Sequence, residues 1–302
     1  MSPKNQLDSL LNRRLIVVSG KGGVGKTTVS LAFALLAAAR GKRVMLCEIH
    51  SEEQVAHVLE RAPIGYKESE LLPNVWGVNI LPKQAFEEYV LLQIRFRGLY
   101  KAVFENRLVQ NFIEATPGLG DMVSIGKVYA LTESYDLVIV DAPATGHGLA
   151  LLEIPSIVSQ ATRMGPLKSD ADKIDRLLKD PSKTQVILTT LPEEMPVTEA
   201  IEMNLSLDRR LGLPLGPFFL NQVEERVFTD EERRRIDHAP ETPALKVLRL
   251  LAARSDLSAE YAVRLEKEVR PRPVVRLPFV YSPHFGLAEI QTVAGEIERR
   301  LS

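Results

Sequence analysis

The sequence contains a single cysteine, Cys47, among 302 residues. An intramolecular disulfide is therefore excluded, and thiolates of one chain cannot build a four-ligand zinc site or an iron–sulfur cluster. A reducing compartment is expected. Long hydrophobic runs are also missing: the longest nearly uncharged stretch, Val29 to Ala39, falls well short of the roughly 20 residues that cross a bilayer and is expected to be a buried helix. Met1 to Arg14 carries scattered charge and no apolar core of a secretory signal, so a cytoplasmic protein is expected. Charge of one sign is not in excess, with 38 basic against 39 acidic side chains and a net charge of -1. A polyanion would find no bulk attraction, and no nucleic-acid partner is expected without a local basic patch.

What is present is ordinary globular composition, 45% apolar and 25% charged, which supports a real core. Short β-branched runs recur between longer helical stretches: Leu15–Ser19, Arg43–Ile49, Val75–Leu81, Leu137–Asp141, Thr184–Leu191, Leu215–Asn221 and Val274–Leu277. Most are too apolar to alternate, which points to strands buried on both faces. The fold class expected is therefore α/β, a doubly wound, mainly parallel sheet of about seven or eight strands. Glycines punctuate the helices, with Gly41 after Gly25–Arg40 and Gly212 after Val197–Leu211. Two stretches exceed a normal crossover. Residues 84–134, broken near Thr116-Pro117-Gly118, predict a helical insertion subdomain. Residues 229–270, interrupted at Ala239-Pro240 and Thr242-Pro243, predict a charged helical segment capping one sheet edge. With no repeat and no linker, residues 1–302 are read as one domain with these insertions.

The sharpest local signal follows the first strand: Gly20-Lys21-Gly22-Gly23-Val24-Gly25-Lys26-Thr27-Thr28, leading into a helix. Gly-x4-Gly-Lys-Thr in strand–loop–helix context is the phosphate loop of a nucleoside triphosphate site. Its glycines let backbone amides close around phosphate oxygens, Lys26 reaches the β and γ phosphates, and the Thr27 hydroxyl can ligate Mg2+. A second signal is Tyr135-Asp-Leu-Val-Ile-Val-Asp141-Ala-Pro-Ala-Thr145-Gly146-His147, a strand ending in an acid. Beside a phosphate loop, Asp141 is expected to hold a water of the Mg2+ ion. A nucleoside triphosphate and Mg2+ are the cofactors expected.

Lys21, one residue after the first glycine, makes this loop the deviant Walker A form. The chain resembles the class of ATPases that includes the Min and Par positioning ATPases, the nitrogenase iron protein and the arsenical-pump ATPases. Within it, the Asp141 to His147 segment resembles switch II of the arsenical-pump and tail-anchored-protein-targeting branch. The resemblance implies a dimer, homo or hetero, that closes on ATP, with Lys21 reaching the partner's nucleotide. It implies that Asn221 and the loop from Pro278 and Phe279 to Gly286 face the base. It also implies a hydrophobic client at the 84–134 insertion, where Tyr89 to Phe104 is apolar with Arg95, Arg97 and Lys101 interspersed. Read from the residues alone, that segment is better explained as closing the subdomain's own core.

The sequence departs from that branch in two places. The switch I aspartate that orients the attacking water is replaced by His50, with Glu48 two residues earlier and Glu52 and Glu53 just after. Histidine can accept a hydrogen bond from water but has no fixed negative charge. Turnover is thus expected to be weak unless another acid substitutes. The Cys-x-x-Cys zinc motif of the targeting factors and the metalloid-binding cysteines of the pumps are also absent, so no zinc is expected, and Cys47 is read as a small buried hydrophobe. Three functions follow. The leading one is a dimeric ATPase acting on a client protein or a membrane partner, with membrane association only indirect. The second is a nucleotide-dependent binding module or weakly hydrolysing subunit of a heterodimeric pair, and the third a Par-like DNA-positioning ATPase, disfavoured by the charge balance and by Thr145-Gly146-His147.

Overall fold

The structure, a computed structural model, describes residues 6–93 and 118–302. Its centre is an eight-stranded sheet of order β3-β4-β2-β5-β1-β6-β7-β8. The strands are β1 (Leu15–Ser19), β2 (Val44–Ile49), β3 (Ser69–Leu72), β4 (Val75–Ile80), β5 (Leu137–Asp141), β6 (Thr184–Thr190), β7 (Leu215–Val223) and β8 (Val274–Pro278). All seven strands expected from the sequence are present and parallel, and β3 is an added edge strand, antiparallel to β4. β1, β2, β5 and β6 are buried along their whole length, as their unbroken apolar runs require.

Helices cover both faces. On one lie α1 (Gln6–Leu11), α2 (Lys26–Ala38), the short α3 (Gln54–Val58) and the C-terminal helix α11 (Leu287–Leu301), whose apolar sides share one core with Val44, Leu46, Leu137 and Ile139. Phe33 of α2 meets Phe219 of β7 edge to face with ring centres 5.5 Å apart, a favoured aromatic geometry that fixes α2 over the sheet. On the other face α4 (Pro82–Gln93), α5 (Leu119–Thr132), α6 (Thr145–Ala161), α7 (Pro166–Lys179), α8 (Glu194–Leu205) and α10 (Pro243–Glu268) meet a second core. α9 (Asp230–His238) packs on α10.

Local chemistry explains where these helices start and stop. Thr229 caps α9 reciprocally with Glu232, and Thr242 accepts from the Leu245 amide ahead of Pro243 at the first position of α10. The two proline breaks read in residues 229–270 are thus real helix boundaries, and α10 lies against β7 and the edge strand β8. Gly41 and Gly212 take positive φ after their helices, 78° and 63°, the left-handed turn that glycine adopts without strain. α8 continues through a wider π turn, Ser206–Arg210, before Gly212. The 84–134 stretch begins with α4 and ends with α5, and α5 packs directly on β2 and β5 with Met122, Ile125 and Val128 in the main core. Residues 94–117, which hold most of the apolar Tyr89 to Phe104 segment with Arg95, Arg97 and Lys101, lie outside the described residues.

Candidate functional site

β1 is the central strand, flanked by β5 and β6. The crossover from β1 leaves toward the α2 face and those from β5 and β6 toward the other face, which opens at the carboxyl ends the crevice where doubly wound proteins bind ligands. A cleft of about 470 Å³ opens there, lined by Gly23, Gly25, Lys26, Thr27 and Thr28 of the loop and first turn, by Ile49, His50, Ser51 and Gln54, by Asp141 to Pro143, and by Gln222 and Phe285. That volume suits a nucleotide-sized ligand, and the amino end of α2 adds the partial positive charge that favours phosphate.

The loop conformation requires its glycines. Gly20 has φ 151°, and a Cβ on it would lie 2.2 Å from the Thr189 carbonyl oxygen. Gly25 has φ 91°, and a Cβ there would lie 2.1 Å from Asn221 Nδ2. Gly23 also takes positive φ, 80°. Val24, between them, is buried and anchors the turn, while Gly22 faces Ala144 at the start of switch II.

Lys26, Thr27 and Asp141 converge at the cleft floor, and Glu48 is buried beside Asp141 in the sheet without lining the cleft. Lys26 Nζ donates to the Lys21 carbonyl at 2.9 Å, curling back over its own loop. Thr27 Oγ1 donates to Asp141 Oδ2 at 2.6 Å. Burial pushes the Asp141 carboxyl up to about 7; the Thr27 hydroxyl and Lys26 oppose that shift, and the Glu48 charge adds to it. Burial likewise lowers the Lys26 ammonium, against the pull of Asp141. Glu48 is 1% exposed, accepts from Ser51 Oγ at 2.8 Å, and is raised by burial.

The structure places the remaining sequence-predicted residues unevenly. His50 is exposed on the cleft wall with a left-handed φ of 48°, its amide donating to Ile80 O. Glu53 is committed elsewhere: its carboxylate accepts from the amides of Ile64 and Gly65 and from Asn79 Nδ2. Lys21 Nζ forms an ion pair with Glu199 Oε1 of its own chain at 2.7 Å, both side chains one-third exposed. Asn221 is buried, its Nδ2 donating to Val24 O at 3.0 Å, so it braces the loop from beneath. Pro278 and Phe279 are not among the residues lining this cleft. Pro278 borders a separate hollow with Arg276 and Arg300, and Phe279 packs on Tyr281 with ring centres 4.6 Å apart and planes inclined by 49°. Gln222 and Phe285 stand at the phosphate-loop cleft instead. The positive φ of Gln222, which turns it away from its buried neighbour, is not visible in the sequence.

A family model described as "Anion-transporting ATPase" matches residues 13–170. The ATPase BagA of Mycobacterium tuberculosis is 32% identical over 222 residues, covering 69% of this chain and 65% of that protein. The arsenical pump-driving ATPase of Escherichia coli is 30% identical over 213 residues, 69% of this chain and 35% of that one. The ATPase GET3C of Arabidopsis thaliana is 22% identical over 329 residues, 90% of this chain and 83% of that protein. The match thus spans just under two thirds of the mycobacterial relative's length. The family match contains β1, the phosphate loop, switch I and Asp141, all elements of the cleft just described, and the chain belongs to the anion-transporting ATPase family, ArsA.

Proposed function

We propose that the protein is a Mg2+-dependent ATPase whose cleft at the end of β1 binds ATP and hydrolyses it, and that it works as a dimer closing on ATP and opening after the γ phosphate is lost. The observation that carries this reading is the Thr27–Asp141 contact. It sets a first-turn hydroxyl against a buried strand-end carboxylate, beside Lys26 and under a glycine loop. The residues fit a magnesium ion on their own chemistry: Asp141 Oδ1 is buried with no hydrogen-bond partner among the described residues, and the donor set is all oxygen. Thr27 and Asp141 would hold the ion, Asp141 through water. When bound, magnesium neutralises phosphate charge.

The chain's own residues supply the rest. Lys26 leaves the Lys21 carbonyl to meet the β and γ oxygens, and the loop amides and helix dipole orient the triphosphate. Lys21, parked on Glu199 within its own chain, would have to release that partner to reach across a dimer. Loss of the γ phosphate then frees the segments around His50 and Asp141. We place the client, a protein or a membrane partner, at residues 84–134, and action in the cytoplasm.

A second reading is favoured by one observation. The switch I position carries His50, and the nearby Glu53 is occupied by three donors, the amides of Ile64 and Gly65 and Asn79 Nδ2 of β4. A chain lacking a water-orienting acid fits a weakly hydrolysing subunit of a heterodimeric pair. Steady-state phosphate release with Mg2+ and ATP decides between them, run on wild type, Lys26→Ala and His50→Asp. Turnover in wild type that Lys26→Ala abolishes is expected of the self-sufficient enzyme. Silence in wild type with gain in His50→Asp supports the paired subunit, and measurable turnover that is the same in wild type and Lys26→Ala sinks both.

A further inference from the structure

Two strand rows run toward the phosphate loop on the face that α2 covers. Val44 and Leu46 of β2 and Leu137 and Ile139 of β5 belong to the core beneath α2. Side chains alternate along a strand, so Glu48 and Asp141 continue these same two rows. The strand register sets them directly opposite one another. Two carboxylates therefore stand side by side where apolar rows end, one of them bonded to Thr27.

Both are buried, Glu48 at 1% and Asp141 at 9% exposure, and each is only half satisfied. Glu48 Oε1 accepts from Ser51 Oγ at 2.8 Å and from the Val55 amide at 3.4 Å, which fixes the side chain and ties it to the start of α3. Glu48 Oε2 and Asp141 Oδ1 are buried with no hydrogen-bond partner among the described residues. The Ser30 hydroxyl near Asp141 is likewise buried with no hydrogen-bond partner among the described residues. Unpaired buried carboxylate oxygens are costly, and native proteins retain them where a cation or a reaction uses them. Protonation does not remove the cost, because a neutral Glu48 would bury an unpaired O–H in the same place.

We infer that Glu48 is the second carboxylate of the magnesium site, a positioning residue that acts with Asp141 on the ion's water shell from one rung deeper than the switch I position occupied by His50. The inference rests on the Mg2+·ATP reading above. It assigns to this chain a carboxylate pair bridging two adjacent strands, with Thr27 completing an all-oxygen set that suits a hard, water-retaining cation. It also explains why Glu48 is tolerated near the carboxyl end of a buried inner strand: Ser51 and Val55 hold one oxygen, and the other is left unpaired beside the strand that carries Asp141.

The test separates metal from nucleotide. Mn2+ binding is followed by electron paramagnetic resonance in the presence of ADP, and ADP binding is followed by calorimetry in EDTA, for wild type, Glu48→Gln and Asp141→Asn. Glu48→Gln keeps the acceptor that Ser51 uses and is expected to bind ADP in EDTA within about twofold of wild type. Its Mn2+ affinity is expected to fall about tenfold or more, the range seen when residues supporting a metal site are removed. Wild-type Mn2+ affinity in Glu48→Gln overturns the inference, whereas no detectable ADP binding by wild type in EDTA overturns the nucleotide reading beneath it. If Glu48→Gln does not fold, Glu48→Asp serves: it retains the charge, and a Mn2+ affinity nearer to wild type than that of Asp141→Asn is expected, with an affinity equal to that of Asp141→Asn counting against.

Discussion

Asn221 Nδ2 donates to the Val24 carbonyl at 3.0 Å, joining the end of β7 to the turn of the phosphate loop across 197 positions of sequence. The same amide sits where a Cβ on Gly25 would fall, so loop and asparagine occupy complementary space. Removing one partner of a buried hydrogen bond costs about 1–3 kcal/mol. Asn221→Ala is expected to lower stability by that amount in urea unfolding and to weaken ATP binding several-fold, since the loop loses its brace. An unchanged midpoint together with unchanged affinity would show that Asn221 does not brace the loop.

The carboxyl of Asp141 predicts a pH signature. Its folded value of about 7 exceeds the 3.8 of an unperturbed aspartate, so between those limits the folded chain binds more protons than the unfolded one. Stability contributed by this group is therefore present at low pH and is lost as pH rises toward 7. Glu48 is shifted in the same direction. The nucleotide-free protein is expected to lose melting temperature between about pH 4 and pH 7 more steeply than Asp141→Asn does. Parallel melting curves for the two proteins would contradict the assignment.

Lys21 and Glu199 give a separate prediction. Their ion pair is partly exposed and is worth under about 1 kcal/mol, so Glu199→Gln should leave the melting temperature almost unchanged. If Lys21 leaves this pair to act on a partner's nucleotide, Glu199→Gln raises the dimer fraction measured by light scattering at limiting ATP, and Lys21→Ala abolishes turnover while retaining ATP binding. Lys21→Ala turning over at the wild-type rate would remove the trans role.

The parts of this molecule legible in its sequence are those fixed locally. β1, the loop and α2 are contiguous, and their glycines mark positive φ values in place. The Leu137–Asp141 run announces both its burial and its terminal acid. β3 was missed because Ser69–Leu72 is short, lies at the sheet edge and carries Ser69 and Glu70, leaving no apolar run to read. The cleft's outer wall was harder still. Gln222 is set by a left-handed backbone turn, and Phe285 arrives from a loop more than 250 residues beyond the phosphate loop. The Lys21–Glu199 pair spans 178 positions, and pattern alone carries no such distance. The Glu48–Asp141 pairing depends on β2 lying beside β5, a fact of sheet order.

The most direct test of the account is a calorimetric titration of ATP into the protein with Mg2+ and again in EDTA, on wild type, Lys26→Ala and Asp141→Asn. Wild type is expected to bind one ATP per chain more tightly with Mg2+ than in EDTA, Lys26→Ala to lose at least about tenfold in affinity in both buffers, and Asp141→Asn to lose only the gain due to the metal. Lys26→Ala binding ATP as wild type does would contradict the assignment of this cleft as the nucleotide site.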